Sequence, residues 1–475
     1  MCADKTRPVI AIQDELPTLV RLLREPAGND PRFKSAELIL ENRSAFLEKV
    51  HATWKDIHKR SLNEILQIER ILTPERRRQL PKSFIWYLDR TVLLWRRIND
   101  ALVWMLVKEQ DHVIRTICHR KDRPRLSEAN PAPMLKFLEQ VNADPLTIVI
   151  WSDATTCVDV GDIVCRSFSG GLNGFIEVKE GVMNDRILDL MAVKGTPEEI
   201  VAQIGAFAEE HGSKAVKQLE RVVRQLERYN RVMDILDEDH GFDPRREAEI
   251  TIHESKIPVE QYDRELQLII DSSKNGSVLR CIDRCLWVYA DRDQSKSVEQ
   301  KVEHFQEAFT LASPASMQWF RQQLGEAEPF APVAVEDNLT CPEAIPLFLR
   351  QLEPETVRDL LIGKLMFSVF LFLDWYELGR MIAEMGAELV WSTVKEGRRA
   401  LAKPMARRPA TFGGRIPRIQ LPDGNFVEGL SKIYRILFEG ITPATIAAQY
   451  VELLKLPPTA REDGSHDSSE GIPEG

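Results

Sequence analysis

Three side chains stand at a spacing that suits metal-assisted chemistry on phosphate: Asp162, Glu177 and Lys179. Asp162 falls in Val158–Cys165 (VDVGDIVC), which reads as a strand, and Glu177 and Lys179 fall in Phe175–Lys179 (FIEVK), which reads as the next one. Alternate side chains of a strand share a face, so Ile176 and Val178 would point into a core and Glu177 and Lys179 together away from it. If the register sets Asp162 beside Glu177, two carboxylates and an ammonium form one patch. Such carboxylates suit Mg²⁺, a hard ion that prefers oxygen ligands and keeps several waters. The ion lowers the pKa of a bound water and offsets charge on a phosphate. A neighbouring lysine can orient that water, stabilise negative charge, or act as a base where its own pKa falls.

The elements that must position this patch are legible around it. Leu146–Trp151 (LTIVIW) is a short run rich in β-branched residues and reads as a buried strand. Ser169–Gly174 (SGGLNG) has the composition of a tight turn, so the last two strands form a hairpin. Helix resumes near Thr196-Pro197-Glu198-Glu199, a capped start, is interrupted at Gly212, and continues as an amphipathic helix over Lys214–Leu236. Glu249–His253 and Leu286–Ala290 are further strand candidates, residues 340–400 read as helical, and Phe412–Val427 reads as hairpin-like.

The pattern resembles the PD-(D/E)XK nuclease superfamily, which carries an Asp on one strand and Asp/Glu-x-Lys on the next. The matching residues are Gly161-Asp162-Ile163-Val164 and Ile176-Glu177-Val178-Lys179, with Gly161 where the signature proline would stand. Gln225-Leu226-Glu227-Arg228-Tyr229 has the form of the Gln-x-x-x-Tyr motif of the RecB-type branch, and Gln218 lies one heptad earlier. The match covers roughly residues 130–255. It implies a restriction-endonuclease-like α/β core in the order helix, three strands, helix, strand. It also implies that Asp162, Glu177 and the Val178 carbonyl are metal ligands, that Lys179 is the catalytic lysine, and that Gln225 and Tyr229 line the site and contact DNA. The branch often has an upstream acid or histidine, for which Asp100, Glu139 and Asp153 are the candidates.

Basic residues flank this core. Arg221, Arg224, Arg228 and Arg231 form one stripe of the long helix, extended by Lys214 and Lys217, and could hold a phosphate backbone by charge and counterion release. A solvated helix face is the alternative. Lys395–Arg418 is also basic, with Arg398, Arg399, Arg407 and Arg408 among its charges, and reads as a nucleic-acid arm or a docking surface for acidic protein. The whole chain has a net charge of -10, so any nucleic-acid surface must be local.

The remaining features exclude more than they add. The 475 residues, 43% hydrophobic and 29% charged, suit a globular chain of several domains. We divide it into a helical region (1–125), the nuclease-like core (126–255), a mixed, mainly helical region (256–457) and a disordered tail (458–475). Seven cysteines do not suggest a disulfide framework, and Cys281 and Cys285, spaced like helical neighbours, lack a second ligand pair for zinc. His112, His119 and His253 have no metal-ligand spacing, and Trp86, Trp95, Trp104 and Trp151 read as core residues. The N-terminus does not read as a secretory signal, and Leu365–Leu373 is shorter than the roughly 20 residues that span a bilayer, so the expectation is a cytoplasmic protein. No P-loop or dinucleotide fingerprint is present, so energy-driven DNA processing would need a partner supplying an ATPase or targeting function.

The expected activity is Mg²⁺- or Mn²⁺-dependent hydrolysis of phosphodiester bonds, with DNA favoured by the resemblance and a defence, restriction or repair role by analogy only. The rival readings are a non-catalytic scaffold that keeps the nuclease fold, and an all-helical adaptor.

Overall fold

The computed structural model describes residues 7–107, 113–114, 117–118, 125–127, 131–168, 173–176, 186–187, 190, 197–238, 240–243, 248–251, 255–324, 332–362, 367–402, 415–420, 422, 424, 426–428 and 430–454, with some side chains inside these helices and strands left out. The expected tail from 458 onward lies outside the described residues.

The chain is mixed α/β and mainly helical, with small antiparallel sheets. It opens on α1 (Arg7–Arg24), α2 (Ala36–Glu41), α3 (Arg43–Ile71), α4 (Pro74–Arg77) and α5 (Lys82–Leu106), followed by α6 (Pro131–Val141). The first sheet is a meander of β1 (Thr147–Trp151), β2 (Ile163–Ser167) and β3 (Asn173–Ile176). Trp151 pairs with Ile163, and Ile163 in turn with Ile176. Then come α7 (Pro197–Glu238), kinked at Gly212, and a separate hairpin of β4 (His240–Asp243) and β5 (Ala248–Thr251). Among the described residues, that hairpin forms its own sheet and does not extend the meander.

The second half begins with α8 (Asp263–Ser272), β6 (Val278–Ile282), β7 (Leu286–Asp291), α9 (Val298–Ala312), α10 (Pro314–Leu324), β8 (Val333–Ala334), α11 (Pro354–Ile362) and β9 (Ser368–Leu373). It ends with α12 (Trp375–Glu384), β10 (Glu388–Trp391), α13 (Val394–Ala402), β11 (Pro417–Gln420), β12 (Phe426–Glu428), α14 (Leu430–Glu439) and α15 (Pro443–Leu454). Sheet order is β6-β7-β9-β8 in one layer and β10-β11-β12 in another.

Several expectations change. Residues 340–400 are not continuous helix, because β9 and β10 interrupt them. All six residues of β9 are buried, which suits a central strand covered on both faces better than a helix with one apolar stripe. Asp374 then ends the strand and caps α12, accepting from the Tyr376 and Glu377 N–H groups at 3.2 and 3.3 Å. Cys281 and Cys285 are not helical neighbours. They flank a hairpin turn in which Asp283 and Arg284 both have positive φ. Trp95, Trp104 and Trp151 are core residues as expected, whereas Trp86 is exposed, with the Arg90 guanidinium over its ring. The Phe412–Val427 expectation matches the β11–β12 pairing.

One buried apolar cluster runs from Ile12 to Tyr450 and joins the N-terminal helices, the β1–β3 meander and the second half of the chain. Helix α1 packs on α11, and Arg24 donates to the Phe348 and Leu352 carbonyls at 2.8 and 2.6 Å. Farther along, Asp263 and Arg350 form a buried ion pair, in which Arg350 Nε reaches Asp263 Oδ1 at 2.8 Å and the Gln351 N–H reaches Oδ2 at 2.7 Å. Gly440 covers this pair with φ +76°, and a Cβ there would lie 2.5 Å from Arg350 Nη2. Both the left-handed backbone and the contact exclude a side chain. Gly440→Ala is therefore expected to lower the urea-unfolding free energy by about 2–4 kcal/mol. A loss below about 0.5 kcal/mol would mean that Arg350 gives way freely.

Candidate functional site

Asp162 sits where a long connection between β1 and β2 closes on itself. The Ser152 N–H donates to the Asp162 carbonyl at 2.9 Å, and the Asp162 N–H donates to the Ile176 carbonyl at 2.8 Å. Gly161 precedes it with φ +70°, and a Cβ there would meet the Ile176 carbonyl and the Phe175 side chain at 3.1 Å. Glycine lets the chain turn against β3 at that point. The expected strand Val158–Cys165 is thus strand only from Ile163. Val158 and Val160 are apolar because this loop is buried, not because it is extended in a sheet.

What shapes the connection is a polar cluster on α5, of which the sequence singles out only Asp100. Arg96, Arg97, Asn99 and Asp100 are all buried, on a helix whose Leu94, Ile98 and Leu102 supply core. Arg96 Nη1 donates to the Asp153 carbonyl at 2.7 Å, and Asn99 Nδ2 donates to the Ala154 carbonyl at 2.9 Å. Asp100 Oδ1 accepts from the Thr156 and Cys157 N–H groups at 2.6 and 3.1 Å. Asp100 Oδ2 accepts from the Thr156 hydroxyl and, at 2.8 Å, from Arg97. Arg97 reaches on to the Ala344 carbonyl at 3.1 Å, tying the loop to the second half of the chain. A buried loop must satisfy its backbone groups somewhere, and here side chains of one helix do it. The signal in the sequence was a polar run, Arg96-Arg97-Ile98-Asn99-Asp100, inside an apolar helical pattern.

His58 completes the cluster from α3. Its Nδ1 lies 3.0 Å from Asn99 Oδ1, and its Nε2 accepts the Trp151 N–H at 3.1 Å. Accepting that N–H requires an unprotonated Nε2, so Nδ1 carries the proton. Burial holds the His58 pKa down at about 4, partly offset by the Asn99 bond. Burial, followed by the nearby Asp100 carboxylate, raises the Cys157 thiol well above its ordinary range. A buried thiol of this kind is inert.

The proposed site residues are distributed unevenly. Asp162 is half-buried in the bend directly before β2. Glu177, Val178 and Lys179 follow Ile176 in sequence and lie outside the described residues, as do Arg407, Arg408, His112, His119 and His253. On α7, Gln218 is half-buried and Arg221 and Arg224 are exposed, while the side chains of Gln225, Arg228, Tyr229 and Arg231 lie outside the described set. The inner face of α7 buries Ala215, Leu219 and Val222 in a small cluster with Ile187, separate from the main core. Arg398 and Arg399 are exposed on α13. Arg418 is not one of the free charges of its segment, because it pairs with Glu396 at 3.0 Å.

Of the three candidate upstream acids, Asp100 is occupied by loop N–H groups and by Arg97. Asp153 lies half-buried in the turn directly after β1, and Glu139 is exposed on α6. Among the described residues, no three His, Cys, Asp or Glu side chains are arranged to hold a metal. Asp162 has the oxygen-donor chemistry of a hard-cation ligand, and one carboxylate is an incomplete set.

Two outcomes test the cluster. Asp100→Ala leaves Arg97 buried without its partner and should lower stability by about 3–5 kcal/mol in urea unfolding, with a loss under about 1 kcal/mol contradicting its anchoring role. His58 binds a proton near pH 6.5 when unfolded and near pH 4 when folded, so its contribution is complete above pH 6.5 and declines as pH falls towards 4. The stability gap between wild type and His58→Gln should narrow by about 3 kcal/mol between pH 7 and pH 4. A gap that does not change with pH would show that His58 titrates alike in both states.

A scan against family models finds none that matches the chain, and searches of curated proteins and of solved structures find no match either.

Proposed function

We propose that the chain is a metal-dependent nuclease acting on DNA. The observation that carries this reading is the hairpin register. Asp162 immediately precedes β2, and its N–H donates to the carbonyl of Ile176, the residue that precedes Glu177-Val178-Lys179 in the sequence. The reading also draws on the order of α6, β1–β3 and α7, which is the order the resemblance implies.

On this reading Asp162, Glu177 and the Val178 carbonyl hold Mg²⁺ or Mn²⁺. A bound ion of this kind supplies an acidified water and offsets charge on the scissile phosphate. The Lys179 ammonium orients the attacking water or bonds a phosphate oxygen. Arg221 and Arg224, exposed on α7, hold the backbone of the nucleic acid, with Gln225 and Tyr229 nearer the scissile bond. The second reading, a scaffold without activity, is favoured by the use of Asp100 as a structural anchor, which leaves one fewer acid for a metal.

Purified protein would be incubated with single- and double-stranded DNA and with Mg²⁺, Mn²⁺ or EDTA, beside Asp162→Ala and Lys179→Ala. The expected result is cleavage that EDTA abolishes and that each folded variant loses by about 100-fold or more. Cleavage unchanged in both variants, or none by wild type, would reject the reading.

A further inference from the structure

Strand β6 stands at the edge of the β6-β7-β9-β8 sheet, and among the described residues no strand pairs with its outer side. Its sequence, VLRCI, has high strand propensity, no proline and one charge, so little in it opposes pairing with a further strand. Between β6 and helix α8 lies an open cleft of about 730 Å³. Its apolar lining includes Leu268 and Ile269 from the helix and Ile282 from the strand. Leu268 is 59% exposed, a large apolar side chain directed at solvent. Charge in the cleft is uneven: Glu260, Glu265 and Asp283 stand against Arg280 alone.

We infer that this cleft takes an extended basic peptide of a partner protein as an added strand on β6. An edge strand offers its outward N–H and C=O groups to such a peptide, and the adjoining helix supplies the surface that reads alternate side chains. The five residues of β6 set a peptide contact of about five residues. Apolar side chains of the peptide pack on Leu268 and Ile269, and Lys or Arg residues between or beside them meet the Glu260 and Glu265 carboxylates. Acidic peptides are repelled by the same groups. The inference is independent of the nuclease reading, since none of these residues belongs to that site.

The test uses the full chain and a fluorescein-labelled nonapeptide of alternating Lys and Val, read by fluorescence anisotropy. Saturable binding is expected. Glu260→Lys combined with Glu265→Lys should weaken it about tenfold or more and raise affinity for the matching Glu–Val peptide. Both positions are exposed, so an unchanged unfolding midpoint would confirm that the variant is folded. N-methylation of all Val residues blocks one backbone edge of the peptide, and N-methylation of all Lys residues blocks the other. At least one of these two methylated peptides should lose about tenfold in affinity. Undiminished binding by both methylated peptides, an unchanged affinity in the charge-reversed variant, or no saturable binding would each overturn the inference. Self-association of the chain through β6 without peptide binding would overturn it too, and would assign the edge to a second copy.

Discussion

The carboxylate of Asp100 is the constraint on which the candidate site depends. Removing a carboxylate from water is costly, and the cost is offset only where donors converge on it. Here two backbone N–H groups, one hydroxyl and one guanidinium do so. The same bonds fix the start of the loop that ends at Gly161-Asp162. With Asn99 and Arg96 holding the carbonyls of Ala154 and Asp153, one turn of α5 sets the path of the β1–β2 connection. Asp162 is then closed against Ser152 on one side and Ile176 on the other. A side chain on a buried loop anchored in this way is preorganised in a way that an exposed loop residue is not.

The same logic recurs in the second half of the chain. Asp263 and Arg350 join α8 to the segment before α11, and Tyr262 beside them donates its hydroxyl to the Ile436 carbonyl at 2.6 Å. Arg97 links the two sets by reaching from α5 to the Ala344 carbonyl. Polar side chains buried at these junctions fix which elements meet, while the continuous apolar cluster supplies most of the driving force.

How much of this the sequence shows depends on the kind of signal. The β-branched run at 147–151, the hairpin of β2 and β3 and the long helix α7 with its break at Gly212 all follow from periodicity and turn residues. The strand boundary at Ile163 does not. Val158 and Val160 are apolar, so a buried loop and a strand look alike by composition. Strand β9 was hidden for a related reason, since a short run of apolar residues between helices has no period of its own. Asp100 is legible in the sequence as a candidate acid for chemistry. Its partners, Thr156 and Cys157, lie more than fifty positions away, and that pairing is a property of the fold alone. Edge strand β6 likewise becomes a surface only once sheet order is known.

On the proposed function, Asp162 is a metal ligand held in place by the polar cluster of α5. Titration of Mn²⁺ into the protein, followed by electron paramagnetic resonance, reads that claim without relying on catalysis. Wild type should bind the ion, folded Asp162→Asn should lose that site, and Asn99→Ala, which loosens the loop, should bind more weakly. Equal Mn²⁺ binding by wild type and Asp162→Asn would contradict the account.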